Sequence, residues 1–143
     1  MAEIFVLNGV NLGTLGRRRP GVYGTLTLND IEKLLTDEFP EVSFEFKQTD
    51  HEGRMVDCIR GATESAGIII NPGAWTHYSY ALHDALESVN APKVEVHLSN
   101  IHAREEWRRF SVVSPAVDAV VTGMGAFGYV AAAAYLLSQG ADL

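Results

Sequence analysis

Gly67-Ile68-Ile69-Ile70-Asn71 decides the fold. Three successive isoleucines leave no polar face along the run, and Pro72 and Gly73 close it. A strand with one solvated face alternates apolar and polar residues; a continuous apolar run marks a strand buried on both faces, as in a parallel sheet with helices above and below. Working outward, Glu3 to Asn8 is a short, mostly apolar run ending in a polar turn. Val42 to Lys47 alternates as a strand, and Lys93 to His97 and Ala119 to Thr122 supply two more.

Between these runs the apolar period lengthens to that of a helix. Thr27 to Phe39 carries Leu28, Ile31, Leu34 and Leu35 and stops before Pro40. Glu52 to Glu64 places Met55, Val56, Ile59 and Ala62 on one side. Trp75 to Val89 reads as one helix and Phe127 to Ser138 as the closing one. The result is five strand–helix units, with only a short irregular turn expected between the fourth and fifth strands. Such alternation predicts an α/β fold, a flavodoxin-like doubly wound five-stranded parallel sheet in three α/β/α layers.

The 143 residues fit one catalytic domain, 1–143, with 9–26 expected as an active-site lid loop. From Gly9 to Leu26 there is no periodicity, while Arg17, Arg18, Arg19 and Tyr23 stand among glycines. Long structureless connections in compact domains are commonly lids. The chain is 47% hydrophobic and 20% charged with a net charge of −7, which argues against a general nucleic-acid binder. The arginines nevertheless cluster, at 17–19 and at 104, 108 and 109, a pattern suited to a small anionic ligand or simply to two solvated patches. The single cysteine, Cys58, excludes an internal disulfide and reads as a packed thiol. No signal segment opens the chain, and the apolar run Ala131 to Leu137 is too short to span a bilayer, so a cytoplasmic protein with no membrane partner is expected.

Ligands of such folds bind outside the carboxyl ends of the strands. Four of the five predicted ends are polar: Asn8 to Asn11, Gln48 to Asp50, Asn71, and His97 to Asn100. Along the fourth strand Val94 and Val96 face a core while Glu95 and His97 share the other face. A carboxylate beside an imidazole can prepare it for proton transfer, although the two residues alone read more readily as a surface pair with no task. Dinucleotide and P-loop fingerprints, His-Glu-x-x-His and nucleophile elbows are absent, so chemistry without cofactor or metal is inferred. Of the lysines, 33, 47 and 93, only Lys47 falls near the expected crevice, which disfavours a Schiff base.

Asn8-Gly9-Val10-Asn11-Leu12, Leu15-Gly16-Arg17-Arg18-Arg19-Pro20-x-x-Tyr23-Gly24, Gln48-x-x-x-Glu52-Gly53, Ile70-Asn71-Pro72-Gly73-Ala74-x-Thr76-His77-x-Ser79 and Glu95-Val96-His97-Leu98-Ser99-Asn100-Ile101-His102-x-Arg104-Glu105-Glu106 together resemble the type II 3-dehydroquinate dehydratases. The resemblance runs through almost the whole chain in order. It implies anti elimination of water from 3-dehydroquinate, giving 3-dehydroshikimate through an enolate, in a homododecamer built from trimers. It implies Tyr23 as base, Arg18 as the cation favouring its phenolate, and Asn11 as the residue holding a water against the enolate. His97 would be the acid, oriented by Glu95. The N–H groups of Leu98 and Ser99 would hold the substrate carboxylate, and Asn71, His77 and Arg108 its hydroxyls. Asp84, seven residues after His77 and expected on the same helical face, would serve a neighbouring subunit's site.

Some positions depart from the family pattern. Val10 replaces a proline, Arg19 a glutamate, Thr49 and Asp50 the pair Ser-Asn, His83 an arginine, and Phe110 a histidine. They leave open a paralogue acting on a modified dehydroquinate. A non-catalytic, flavodoxin-like module binding a small anion is the alternative from another class. The same chemistry would serve aromatic biosynthesis or quinate breakdown.

Overall fold

The computed structural model describes residues 2–17, 19, 21 and 25–139. Five strands, β1 (Glu3–Asn8), β2 (Ser43–Gln48), β3 (Gly67–Asn71), β4 (Lys93–His97) and β5 (Ala119–Thr122), form one parallel sheet in the order β2-β1-β3-β4-β5. This is the flavodoxin-like doubly wound order expected from the alternation. The helices are α1 (Leu28–Glu38), α2 (Glu52–Gly61), α3 (Tyr80–Ser88) and α4 (Phe127–Leu137). Among the described residues no helix is long and apolar enough to cross a membrane.

The isoleucine run works as its composition demands. All five residues of β3 are buried. Because successive side chains of a strand point to opposite faces, Ile68 and Ile70 enter the core formed with α2 and α3, beside Met55, Ile59, Leu82 and Leu86. Ile69 enters the opposite core with Ile31 and Leu35 of α1 and Tyr129, Ala132 and Ala133 of α4. One strand thus joins both hydrophobic layers.

Three expectations need correction. The stretch Trp75 to Val89 is not one helix. Gly73–His77 forms a 3-10 turn, Tyr78 departs to φ −151°, and α3 starts afresh where the Ser79 hydroxyl accepts the Leu82 N–H at 3.1 Å. Serine competes for backbone donors and so favours a cap over a helix interior; His77 and Asp84 therefore share no helical face. The link from β4 to β5 is not short. It occupies residues 98–118, holds the 3-10 turns Ile101–Ala103, Glu106–Arg109 and Ser114–Ala116, and leaves β4 without a following α-helix. Helix α2 ends at Gly61 rather than Glu64, where the Ser65 hydroxyl caps the Ala62 carbonyl at 2.7 Å.

The start of the 9–26 loop is ordered into the protein. Leu12–Thr14 makes a 3-10 turn, and Leu12 and Leu15 are buried. The Gly9 N–H donates to the Asn71 carbonyl at 2.7 Å, and a Cβ on Gly9 would lie 2.8 Å from the Pro72 carbonyl oxygen, so only glycine permits this approach. The loop after β1 is thereby held against the end of β3.

Ile69→Ala should cost about 2–5 kcal/mol, because the removed atoms leave a cavity between the sheet and α1–α4. Urea unfolding measures this, with a loss below about 1 kcal/mol contradicting the two-core arrangement.

Candidate active site

Where the strands end, a cleft opens that is lined by Asn11, Asn71, His77, His97, Leu98, Ser99, Arg104 and Arg108, with Leu12, Ala74 and Ile101 among its apolar walls. It gathers the polar ends of β1, β3 and β4 together with the turn after β3. Of the residues expected here, Glu95 lies behind His97 rather than in the lining. Asp84 is exposed on α3 and does not line the cleft. Arg18 and Tyr23 lie outside the described residues.

Glu95 is 0% exposed and His97 5%, so the pair is no surface coincidence. His97 Nε2 is hydrogen-bonded to Glu95 Oε2. That carboxylate also accepts the Thr76 hydroxyl at Oε2 (2.6 Å) and the Ser114 hydroxyl at Oε1 (2.7 Å). Burial pushes the Glu95 carboxyl up, but the hydrogen bond and charge of His97 and the two hydroxyls outweigh it, and the group sits below its ordinary value of 4.5. With Nε2 engaged, Nδ1 is the ring nitrogen left for chemistry in the cleft.

His77 Nδ1 donates to the Phe110 carbonyl at 2.7 Å, which leaves Nε2 as an acceptor. Burial lowers the His77 pKa below 6.5; the Phe110 hydrogen bond and Glu95 oppose this, and the charges of His97 and Arg108 reinforce it. The imidazole is thus held neutral. Its ring meets Trp107 edge-on at 5.1 Å, and the Arg108 guanidinium lies 4.0 Å from the Trp107 ring centre while its Nε bonds Glu105. Arg108 and Arg104 make the mouth of the cleft electropositive within a net acidic chain.

Asn11 adopts the left-handed conformation (φ 68°), which asparagine tolerates better than most residues. Its N–H donates to Asp50 Oδ1 at 2.8 Å, so Asp50, one of the departures from the family pattern, supports the turn that presents Asn11. The carbonyls of His97 and Leu98 accept the Gly123 and Gly125 N–H groups. In planar trans peptides the following N–H points the opposite way, so those of Leu98 and Ser99 face away from the loop after β5.

Four contributors escaped the sequence. Arg104 lines the cleft and donates to the Ser99 hydroxyl at 3.3 Å. Thr76 and Ser114 serve Glu95. Tyr129, fully buried on α4, donates to Asn8 Oδ1 at 2.6 Å and accepts from Asn71 Nδ2 at 3.0 Å, while Asn71 Oδ1 takes the Gly73 N–H. Burial pushes the Tyr129 phenol far up, only partly opposed by Asn71, so it stays neutral. A tyrosine in a largely apolar helix was the available signal, because buried tyrosines need a partner.

The Glu95 carboxyl titrates below 4.5 in the folded chain, so its ionised form stabilises fully above the unfolded value and that contribution is lost as pH falls through the folded one. Urea midpoints measured from pH 6 downward should therefore fall more steeply for the wild type than for Glu95→Gln. Equal slopes would contradict an ionised Glu95.

The family profile described as Dehydroquinase class II matches residues 2–137. A 3-dehydroquinate dehydratase 1 from Agrobacterium fabrum is 52% identical over 132 residues, covering 90% of this chain and 91% of that protein. A 3-dehydroquinate dehydratase from Bacillus subtilis is 48% identical over 142 residues, covering 97% and 96%. The crystal structure of a type II dehydroquinase from Propionibacterium acnes superposes with a TM-score of 0.93 at 45% identity, over 97% of this chain and 98% of that one. A 3-dehydroquinate dehydratase-like protein from Bifidobacterium longum gives 0.68 at 35%, over 97% and 100%. With the fold, the cleft and nearly the full length in agreement, the chain belongs to the class II dehydroquinase family.

Proposed function

We propose that this chain is a lyase that removes water from 3-dehydroquinate in the anti sense, giving 3-dehydroshikimate through an enolate, with His97 as the proton donor. The observation that carries the reading is the seating of His97: Nε2 bonded to a buried carboxylate, the ring at the wall of the cleft. With Nε2 held by Glu95, Nδ1 is the ring nitrogen placed to give a proton to the departing hydroxyl.

The base is Tyr23, on the lid formed by residues 9–26, and Arg18, five residues earlier in the sequence, is the cation that favours its phenolate. Abstraction of the proton next to the ketone gives an enolate, against which Asn11 holds a water. The N–H groups of Leu98 and Ser99 grip the carboxylate. Asn71 donates to a substrate hydroxyl, neutral His77 accepts from one through Nε2, and Arg108 completes the set at an electropositive mouth. Every step is a proton transfer or a hydrogen bond, so the reaction asks for no cofactor or metal. Asp84 acts from a neighbouring subunit of a cytoplasmic homododecamer built from trimers, in aromatic biosynthesis or quinate breakdown.

Purified protein mixed with 3-dehydroquinate should raise the ultraviolet absorbance of the enone product; no rise at micromolar enzyme would sink the proposal. Tyr23→Phe and His97→Ala should each lower kcat by about 10²–10⁴-fold with the fold intact by circular dichroism, and near-normal turnover by either would overturn its role. Light scattering should give a mass near twelve chains of 15.6 kDa; a monomer would remove the shared-site role of Asp84.

A further inference from the structure

The chain surrounds Glu95 with hydroxyls whose hydrogens can point only one way. Ser111 Oγ accepts two backbone N–H groups, those of Val113 (3.1 Å) and Ser114 (2.9 Å). A serine hydroxyl has two acceptor sites and one proton, so that proton goes to its remaining neighbour, Thr76 Oγ1, at 2.6 Å. Thr76 is then obliged to donate onward, to Glu95 Oε2. Ser114 donates to Oε1, and His97 supplies the third bond. Both hydroxyl partners are arranged as donors, a set that suits a carboxylate. The backbone fixes the same geometry, since the Val112 N–H donates to the Thr76 carbonyl at 2.8 Å and so ties the 3-10 turn after β3 to the 111–114 segment.

We propose that Ser111, Thr76 and Ser114 form a one-way donor relay that keeps Glu95 ionised, and that they are positioning residues for His97. The proposal rests on the reading of His97 as the acid. The other groups around Glu95 do not supply this effect. Its sheet neighbours are Ile70 and Val120, and α3, packed on the same face, turns Leu82, Ala85 and Leu86 inward. Among the described residues His77 is the other titratable group facing it, with Arg108 beyond, and burial lowers the His77 pKa.

The test reads the carboxyl directly, as an infrared carboxylic-acid band assigned by its loss in Glu95→Gln. At pH 4.5, where an ordinary glutamate is half protonated, the wild type should show no such band. Thr76→Val and Ser114→Ala should show it, with the Glu95 midpoint raised by about one pH unit or more, and Thr76→Ser should restore the wild-type behaviour. Ser114 is half-buried, so its variant keeps the test open if Thr76→Val fails to fold. Midpoints unmoved while the melting temperature falls would overturn the relay and make these hydroxyls merely structural. If the midpoints rise and the acid limb of kcat rises with them, both ideas stand. A risen midpoint with an unmoved acid limb supports the relay and overturns the role of His97.

Discussion

A buried negative charge governs this molecule. Glu95 is fully shielded from water, and an ionised carboxylate in such a place costs several kcal/mol unless it is paired and fully hydrogen-bonded. That requirement reaches three separate segments. It recruits His97 from the same strand, Thr76 from the turn after β3, and Ser114 from the long connection to β5. The absence of an α-helix after β4 follows the same logic, since an irregular segment can bring hydroxyls under the strand end where a helix would bring an apolar stripe.

The sheet places that charge. Because β3 is central and apolar on both sides, its neighbours β1 and β4 end beside it, and their last residues converge. Tyr129 then crosses from α4 to join the ends of β1 and β3 through Asn8 and Asn71. The cleft is therefore rigid on its strand side, where proton donation and substrate orientation belong, and depends on the loop after β1 for the rest.

Gly67–Asn71 and Glu3–Asn8 were legible because burial on both faces writes itself as a largely apolar run, and Lys93–His97 by its alternation; all three begin and end where the pattern says. The helix expected from Trp75 was misjudged because apolar spacing persists across the break, while the cap that makes the break is one serine hydroxyl. That Glu95 and His97 share a face was readable from alternation, and their roles only from the motifs around them. Thr76, Ser111 and Ser114 were not, because hydroxyls acquire meaning only from the partner that the fold brings to them, here 19 to 35 residues away. Arg104 was visible only as one charge in a cluster.

The bond from His77 to the Phe110 carbonyl has an evolutionary corollary. What position 110 lends to the cleft comes from its main chain, which every residue type possesses. Its side chain, 67% exposed, answers to whatever lies outside the protomer. Any residue type at position 110 can supply that carbonyl, so the outer surface here can vary while the inner one stays constant.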